Sequence, residues 1–127
     1  AAKYIWGYTC FNDVTARDLQ ARDGQWTRAK GFDTFGPLGP WIESEFDPED
    51  VEVSCYLNEQ RVQHSWTSEF IFTVPEILAQ VTAVMTLYPG DVISTGTPAG
   101  VGPVADGDVV SVEISGIGRL TNTCRRR

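Results

Sequence analysis

The sequence predicts a mostly β domain of the α+β class, with one main helix and one short helix. Apolar and polar residues alternate from Val51 to Asn58, a period of two that is typical of a strand with one buried face. Apolar residues follow helical spacing over only one longer segment, which begins at Thr73. Glycine and proline cluster between these elements, so we expect five or six short strands separated by turns.

The N-terminal segment predicts a strand and then a short helix. Residues Tyr4 to Cys10 are rich in β-forming residues. Thr15 and Asp18 have the spacing of a helix capping box, so we expect a helix from about Ala16 to Arg22 that stops at Gly24. Because the sequence begins almost inside the first strand, we expect the intact protein to contain further residues upstream.

Two glycine-proline segments are predicted to be loops. Residues 31–41 contain three glycines and two prolines, a composition that favours a rigid loop. Residues 96–103 have a similar composition, and their backbone N–H groups can approach a ligand closely. This second segment is not a phosphate loop, because it lacks the GK[ST] ending. Between the two, residues 43–50 are predicted to form a solvated acidic turn that begins at Asp47.

The alternating segment predicts a β-hairpin. Four residues are expected to form the buried face of its first strand: Val51, Val53, Cys55 and Leu57. Asn58 to Gln60 is the predicted tip, and Arg61 to Thr67 the returning strand. His64, the only histidine, lies in that strand without a serine or cysteine motif beside it in the sequence. We therefore interpret it as an incidental strand histidine rather than part of a catalytic triad.

The main helix is predicted from Thr73 to about Thr86. Thr73 and Glu76 have capping-box spacing, and Pro75 stands in the first turn, where its missing N–H group costs nothing. Five apolar residues at helical spacing are predicted to form a core face: Ile77, Leu78, Val81, Val84 and Met85. Three short strands should follow: Val92 to Thr95, Val109 to Ser115 and Arg119 to Cys124.

Length and charge exclude several classes of protein. The 127 residues suit a single domain over 1–127 that is large enough to bury a core. A formal net charge of −7 is unfavourable for binding nucleic acid, and we interpret the basic cluster at 125–127 as a frayed terminus. No apolar stretch approaches the ~20 residues of a membrane helix, so we expect no membrane association and a cytoplasmic protein.

The three cysteines suit neither a zinc site nor a disulfide framework. Cys10, Cys55 and Cys124 are odd in number and far apart in the sequence. We expect all three to be reduced and two of them to be buried.

The densest set of polar groups that could act together lies between Asn12 and Lys30. At helical spacing, Asp13, Arg17 and Gln20 fall within an arc of roughly 60°, and Lys30 could join them from the returning chain. An aspartate is a hard ligand for Mg²⁺ or Mn²⁺. An arginine offers a planar fork to a carboxylate and a lysine stabilises an oxyanion, while a glutamine can orient a substrate oxygen or a water. A merely solvated polar surface is the alternative interpretation of the same spacing.

Four segments together resemble the fumarylacetoacetate hydrolase family. They are YIWGYTCFNDVTARDLQ, WTRAKGFDTFGPLGPWI, LYPGDVISTGTPAGVGP and VEISGIGRLTN. They occur in order along essentially the whole chain. The likeness is greatest to bacterial 2-hydroxyhepta-2,4-diene-1,7-dioate isomerases, and to acylpyruvate hydrolases and oxaloacetate decarboxylases.

The resemblance implies a mixed β-roll catalytic domain, usually a homodimer, in which one Mg²⁺ or Mn²⁺ chelates a 2-oxo acid substrate or its enol. Asp13 falls on the family's aspartate metal ligand, and Arg17 and Gln20 on substrate-side positions of the same motif. Lys30 falls on the lysine of the family's lysine-serine-phenylalanine stretch, with Gly31 in place of the usual serine. Two further positions fall on threonines that line the family's pocket: Thr34 and Thr97.

The resemblance also implies that part of the site lies elsewhere. The family's other two metal ligands, a Glu-x-Glu pair, and the acid–base groups of its lid precede the first residue of this chain. Glu43-Ser44-Glu45 has the spacing of the pair, but it follows Lys30, so we interpret it as part of the acidic turn. We therefore expect this chain alone to be inactive. A non-catalytic β-rich domain for dimerisation or ligand binding is the alternative function.

Overall fold

Within the described part of the chain, six strands and three short α-helices build the fold. The computed structural model describes residues 2–126. The strands are β1 (Tyr8–Phe11), β2 (Leu38–Glu43), β3 (Glu52–Leu57), β4 (Gln60–Trp66), β5 (Val109–Ile114) and β6 (Gly118–Thr123). The helices are α1 (Arg17–Asp23), α2 (Thr27–Lys30) and α3 (Val74–Thr82), with 3₁₀ turns at Ala2–Tyr4 and Thr67–Glu69. The predicted mostly β fold is confirmed. None of the helices in this part of the chain is long and apolar enough to cross a bilayer.

The strands form two antiparallel sheets. β1 pairs with β2, and the larger sheet has the order β4-β3-β5-β6. In the larger sheet Cys55 lies opposite Gln63 on one neighbouring strand and opposite Val112 on the other. Directly opposed residues of antiparallel strands project from the same face. Gln63, Cys55 and Val112 therefore mark one face of this sheet.

The core lies between that face and β1. Cys10, Val112 and Ile117 are buried, and Cys55 and Leu120 pack against them. The thiol of Cys10 also lies within 3.4 Å of the carbonyl oxygen of Gly118, to which it donates. β1 is thus fixed across the larger sheet, and this contact determines where the chain emerges at residue 12.

The first strand and the first predicted loop both have different bounds from those expected. β1 begins at Tyr8 rather than Tyr4, because its partner β2 ends opposite Tyr8 at Glu43 and leaves the preceding residues without a ladder. The predicted loop 31–41 becomes a strand from Leu38 onward. Pro40 is compatible with this because β2 is paired on one side only, and prolines are tolerated in such strands.

The buried face predicted for the first hairpin strand is confirmed only in part, because Cys55 packs against the core but is not itself fully buried. The buried residue of β3 is Ser54, which is 4% exposed, whereas Val53, Cys55 and Leu57 are only partly buried and Val51 precedes the strand. Ser54 lies on the other face of the sheet, opposite His64 and Glu113. The predicted hairpin itself is confirmed, with Asn58 and Glu59 at positive φ of 48° and 67° in its tip.

The main helix begins as predicted, but it ends earlier than predicted and none of its residues is fully buried. Its capping box is present, with Thr73 and Glu76 bonded reciprocally. The helix stops at Thr82 instead of Thr86, so Val84 and Met85 lie beyond it and are 73% and 59% exposed. No residue of α3 is buried. Ile77, Leu78 and Val81 are only partly buried, so no element within residues 2–126 covers the predicted core face completely.

The C-terminal third contains two of the three predicted strands. β5 and β6 agree with the prediction to within one residue at each end. Residues 92–95 are irregular instead of forming a strand, and Val92 is 55% exposed. Strands need a partner ladder, and this segment pairs with none of the strands that the structure describes.

Candidate active site

The segment from Asn12 to Lys30 is closed by backbone hydrogen bonds. The N–H of Asn12 donates to the carbonyl of Pro37 at 3.1 Å, and the N–H of Ala16 donates to the carbonyl of Ala29 at 2.9 Å. Ala29 is fully buried. These bonds bring the start of the segment beside its end, so residues far apart in sequence meet there.

Asp13 and Lys30 form an ion pair in this closed segment. The ammonium group of Lys30 donates to Oδ2 of Asp13 and, at 3.3 Å, to Oγ1 of Thr15. It also lies 5.8 Å from the ring centroid of Trp26, within reach of a cation–π attraction. The two charged side chains retain 35% and 29% exposure, so both can still meet a ligand.

Arg17 and Gln20 form a second pair on α1. Nη1 of Arg17 donates to Oε1 of Gln20 at 2.8 Å across one helical turn. The predicted proximity of these two residues is confirmed, and so is the stop of the helix at Gly24, which has a left-handed φ of 69°. The four predicted groups thus lie in one segment as two bonded pairs.

The capping box predicted for α1 was wrong. The residue before the helix is Ala16, and no side chain caps it. The hydroxyl of Thr15 instead donates to the carbonyl of Asp13 at 2.9 Å. Asp13 consequently lies outside the helix, and the backbone bond between Ala16 and Ala29, rather than helical phase, brings its carboxylate to Lys30.

The two predicted pocket threonines lie on the two glycine-proline segments. Thr34 has a positive φ of 72°, a conformation that is uncommon for a β-branched residue and is often found at functional sites. Oγ1 of Thr97 accepts a hydrogen bond from Nε2 of Gln63 at 3.0 Å. Both threonines line one broad, open cleft together with Asp13 and Arg17, whereas Gln20 and Lys30 are outside its lining.

The chain provides one carboxylate at the predicted metal position. Within residues 2–126, no group of three or more His, Cys, Asp or Glu side chains is arranged to hold a metal ion. Mg²⁺ and Mn²⁺ prefer several oxygen ligands, and one oxygen of Asp13 already accepts from Lys30. Asp13 fits as a single ligand, but these residues alone do not form a complete site. Glu43 ends β2, so its predicted place in the acidic turn was wrong, and Glu45 follows it in the turn, where its N–H donates to Oε1 of Glu43 at 3.2 Å.

The cysteines and the histidine lie apart from this segment. All three thiols are free, as expected, but only Cys10 is fully buried, because Cys55 and Cys124 are partly exposed. Burial raises the pKa of the Cys10 thiol above its usual value, so this sulfur stays protonated and packs as an apolar group. His64 lies in β4, as predicted, with Nε2 at 2.9 Å from Oε1 of Glu52.

Three contacts of the candidate site were not predicted from the sequence. They involve Thr15 and Trp26 around Lys30, and Gln63 at Thr97. Trp26 lies four residues before Lys30, a spacing at which side chains meet on a helix, so this contact had a sequence signal. Gln63 had none, because its contact depends on how the second loop folds back onto β4.

Comparison with known proteins identifies the relationship. The family model described as "Fumarylacetoacetate (FAA) hydrolase C-terminal" matches residues 1–125. This chain belongs to the fumarylacetoacetate hydrolase family. An uncharacterized protein of Archaeoglobus fulgidus is 63% identical over 123 residues, which are 97% of this chain and 49% of that protein. The chain spans about half the length of the curated relatives that it matches.

Solved structures of related proteins share the fold. A 2-hydroxyhepta-2,4-diene-1,7-dioate isomerase from Mycobacterium marinum is 57% identical with a TM-score of 0.98, over 100% of this chain and 50% of that one. A 5-carboxymethyl-2-hydroxymuconate delta-isomerase from Mycobacterium smegmatis is 56% identical with a TM-score of 0.97, over 99% of this chain and 50% of that one. A maleylpyruvate hydrolase from Sphingobium is 36% identical with a TM-score of 0.86, over 96% and 45%. The predicted family fold is confirmed.

Proposed function

We propose that this chain forms part of an enzyme that acts on a 2-oxo acid or its enol, by C–C bond hydrolysis, decarboxylation or keto–enol isomerisation. The observation that carries the proposal is the partly exposed ion pair of Asp13 and Lys30 in the segment from Asn12 to Lys30, which the backbone bond between Ala16 and Ala29 closes. Two related solved proteins are named as isomerases and one as a hydrolase, which supports this range of reactions.

Lys30 and Arg17 would recognise the two kinds of oxygen that such a substrate carries. The ammonium of Lys30 has three donors, and Asp13 and Thr15 accept two of them. The third would stabilise the oxyanion that develops when the ketone enolises. Arg17 would bind a substrate carboxylate through its guanidinium, which Gln20 holds at 2.8 Å. Thr34 and Thr97 would contact the substrate from the two loops.

Asp13 would also supply one ligand to a divalent cation, Mg²⁺ or Mn²⁺. The carboxylate is a suitable hard oxygen donor, and the further ligands would come from polypeptide outside these 127 residues. Such a cation, when bound, acts as a Lewis acid on the substrate oxygens. Under the same proposal, the intact protein would form a homodimer.

The full-length protein should be assayed with Mg²⁺ or Mn²⁺ against 2-hydroxyhepta-2,4-diene-1,7-dioate, an acylpyruvate and oxaloacetate. We expect one of the three to be turned over and the activity to be lost after chelation. Binding of these compounds without turnover of any would instead support the second candidate, a non-catalytic β-rich dimerisation or ligand-binding domain. If the protein neither bound nor turned over any of the three compounds, the proposed substrate class would be contradicted.

A further inference from the structure

A single side-chain amide of β4 holds the second glycine-proline segment. Nε2 of Gln63 donates to Oγ1 of Thr97 at 3.0 Å and to the carbonyl of Pro98 at 2.6 Å. The amide of Gln63 therefore restrains the side chain of one loop residue and the backbone of the next. Residues 96–103 contain no helix or strand that could restrain Thr97 instead.

A second contact holds the same loop against the same strand. Gly100 has a φ of 104°, and a Cβ atom added there would lie 2.1 Å from the carbonyl oxygen of Val62. Real side chains do not tolerate such a distance, so only glycine permits the loop backbone to approach β4 this closely. Val62 and Gln63, which are neighbours on β4, thus contact the loop between Thr97 and Gly100.

Gln63 also places the loop on the side of the sheet that bears the Asp13 segment. Gln63 projects from the face marked by Cys55 and Val112, and Cys10 of β1 packs against that face. Asp13 follows Cys10 by three residues. One sheet face therefore anchors both parts of the candidate site, one through the core and the other through the Gln63 amide.

We infer that Gln63 is a positioning residue that fixes Thr97 as a hydrogen-bond donor to the substrate. A threonine hydroxyl has one proton to donate and can accept two hydrogen bonds. Because Oγ1 of Thr97 accepts a hydrogen bond from Gln63, the hydroxyl proton of Thr97 remains available to donate to an oxygen that can only accept. Carboxylate and keto oxygens of a 2-oxo acid are such acceptors, and this inference rests on the function proposed above.

The test uses three variants of the full-length protein and a matched control. Gln63→Leu removes the donor, Gln63→Glu replaces it with an acceptor that would capture the Thr97 proton, and Thr97→Val removes the hydroxyl. Gln60→Leu is the control, since Gln60 is exposed on the same strand. We expect each of the three to raise KM about 10-fold, the scale of one substrate hydrogen bond, with kcat changed less, because the bond forms already in the ground state.

A double variant separates positioning from a general loss of structure. If Gln63 acts through Thr97, then combining Gln63→Leu with Thr97→Val should raise KM no further than Thr97→Val alone. If the double variant raised KM by the product of the two single effects, the inference would be overturned. It would also be overturned if KM were unchanged in Gln63→Leu but raised in Thr97→Val. An unchanged KM in Thr97→Val would instead contradict the proposed substrate contact of Thr97 itself and, with it, the inference.

A measurement that needs no turnover tests the loop contact directly. Limited proteolysis with an unspecific protease should cut residues 96–103 about 10-fold faster in Gln63→Leu and in Gly100→Ala, because cleavage follows the population of the open loop. Gly102→Ala is the control in the same loop, since a Cβ atom there would meet nothing within 4 Å. Equal cleavage of these three variants and the unsubstituted protein would overturn the inference even if no substrate were found.

Discussion

The strands and the segment from residue 67 to residue 104 differ sharply in how they are packed. Cys10 and Ile117, on or beside the strands, are 0% and 1% exposed, whereas Ile71 and Val84, in the segment, are 90% and 73% exposed. The packed strands place Asp13 through core contacts and backbone hydrogen bonds. The open segment carries Thr97, whose hydroxyl bonds to the single side chain of Gln63. Side-chain substitutions should therefore displace Thr97 more easily than Asp13.

The largest effect is expected when the carboxylate on the packed side is removed. Asp13→Ala in the full-length protein should abolish metal-dependent turnover, by about 10³-fold or more, the scale for a residue that acts as part of a catalytic unit. It should also reduce the bound Mg²⁺ or Mn²⁺, which elemental analysis would measure. Asp18→Ala on the exposed face of α1 is the control. Unchanged activity after Asp13→Ala would refute the assignment of this residue.

Replacing the partner of that carboxylate should have a smaller effect of a different kind. Lys30→Met keeps the length of the side chain but removes the charge, so we expect kcat to fall about 10²-fold, as for the loss of one oxyanion donor. Bound metal should remain, because Asp13 is unchanged. Lys3→Met, at an exposed position near the N-terminus, is the control. Loss of the metal in Lys30→Met would show that Lys30 serves to hold Asp13 rather than to stabilise an oxyanion.

Two truncations of apolar side chains compare the packing of the two regions directly. Ile117→Ala should lower the free energy of unfolding by about 2–5 kcal/mol, because it leaves a cavity in the core. Val84→Ala should change it by less than about 0.5 kcal/mol, since the side chain is largely exposed. Urea unfolding of both variants and the unsubstituted protein would measure the difference. A loss for Val84→Ala as large as that for Ile117→Ala would mean that another polypeptide segment covers this face.

The same contrast explains what could be predicted from the sequence. The hairpin of β3 and β4, the strands β5 and β6 and the start of α3 follow from local patterns, because turn and capping residues specify them directly. The exposure of α3 and the irregular backbone at 92–95 were not predicted. Burial of a helix and formation of a strand both depend on partner elements that local patterns do not reveal.

The candidate site was predictable to a similar degree. Arg17 and Gln20 meet because helical spacing is a local property. Lys30 was expected to approach Asp13 from the returning chain, and it does so. The helical phase from which Asp13 was placed was wrong, because Asp13 lies outside α1 and the backbone bond between Ala16 and Ala29 brings it to Lys30 instead. The contact of Gln63 with Thr97 joins residues 34 positions apart, and no pattern in the sequence signals it.

The smallest effect is expected at the capping box that begins α3 within the open segment. The backbone N–H and the hydroxyl of Thr73 donate to Oε2 of Glu76 at 2.7 and 2.8 Å, and these bonds lower the pKa of Glu76 below its ordinary value of 4.5. A carboxyl whose pKa is lower in the folded state stabilises the protein above pH 4.5, and this stabilisation is lost as the pH falls through the folded-state pKa.

The melting temperature should therefore fall less on acidification in Glu76→Gln than in the unsubstituted protein, while at neutral pH the variant should melt slightly lower. Thermal unfolding at neutral pH and at a series of acidic pH values would measure both differences. Glu49→Gln is the control, because the side chain of Glu49 is exposed and lies outside the capping box. An identical pH profile for Glu76→Gln and the unsubstituted protein would show that the ionisation of Glu76 contributes nothing to the stability of the fold.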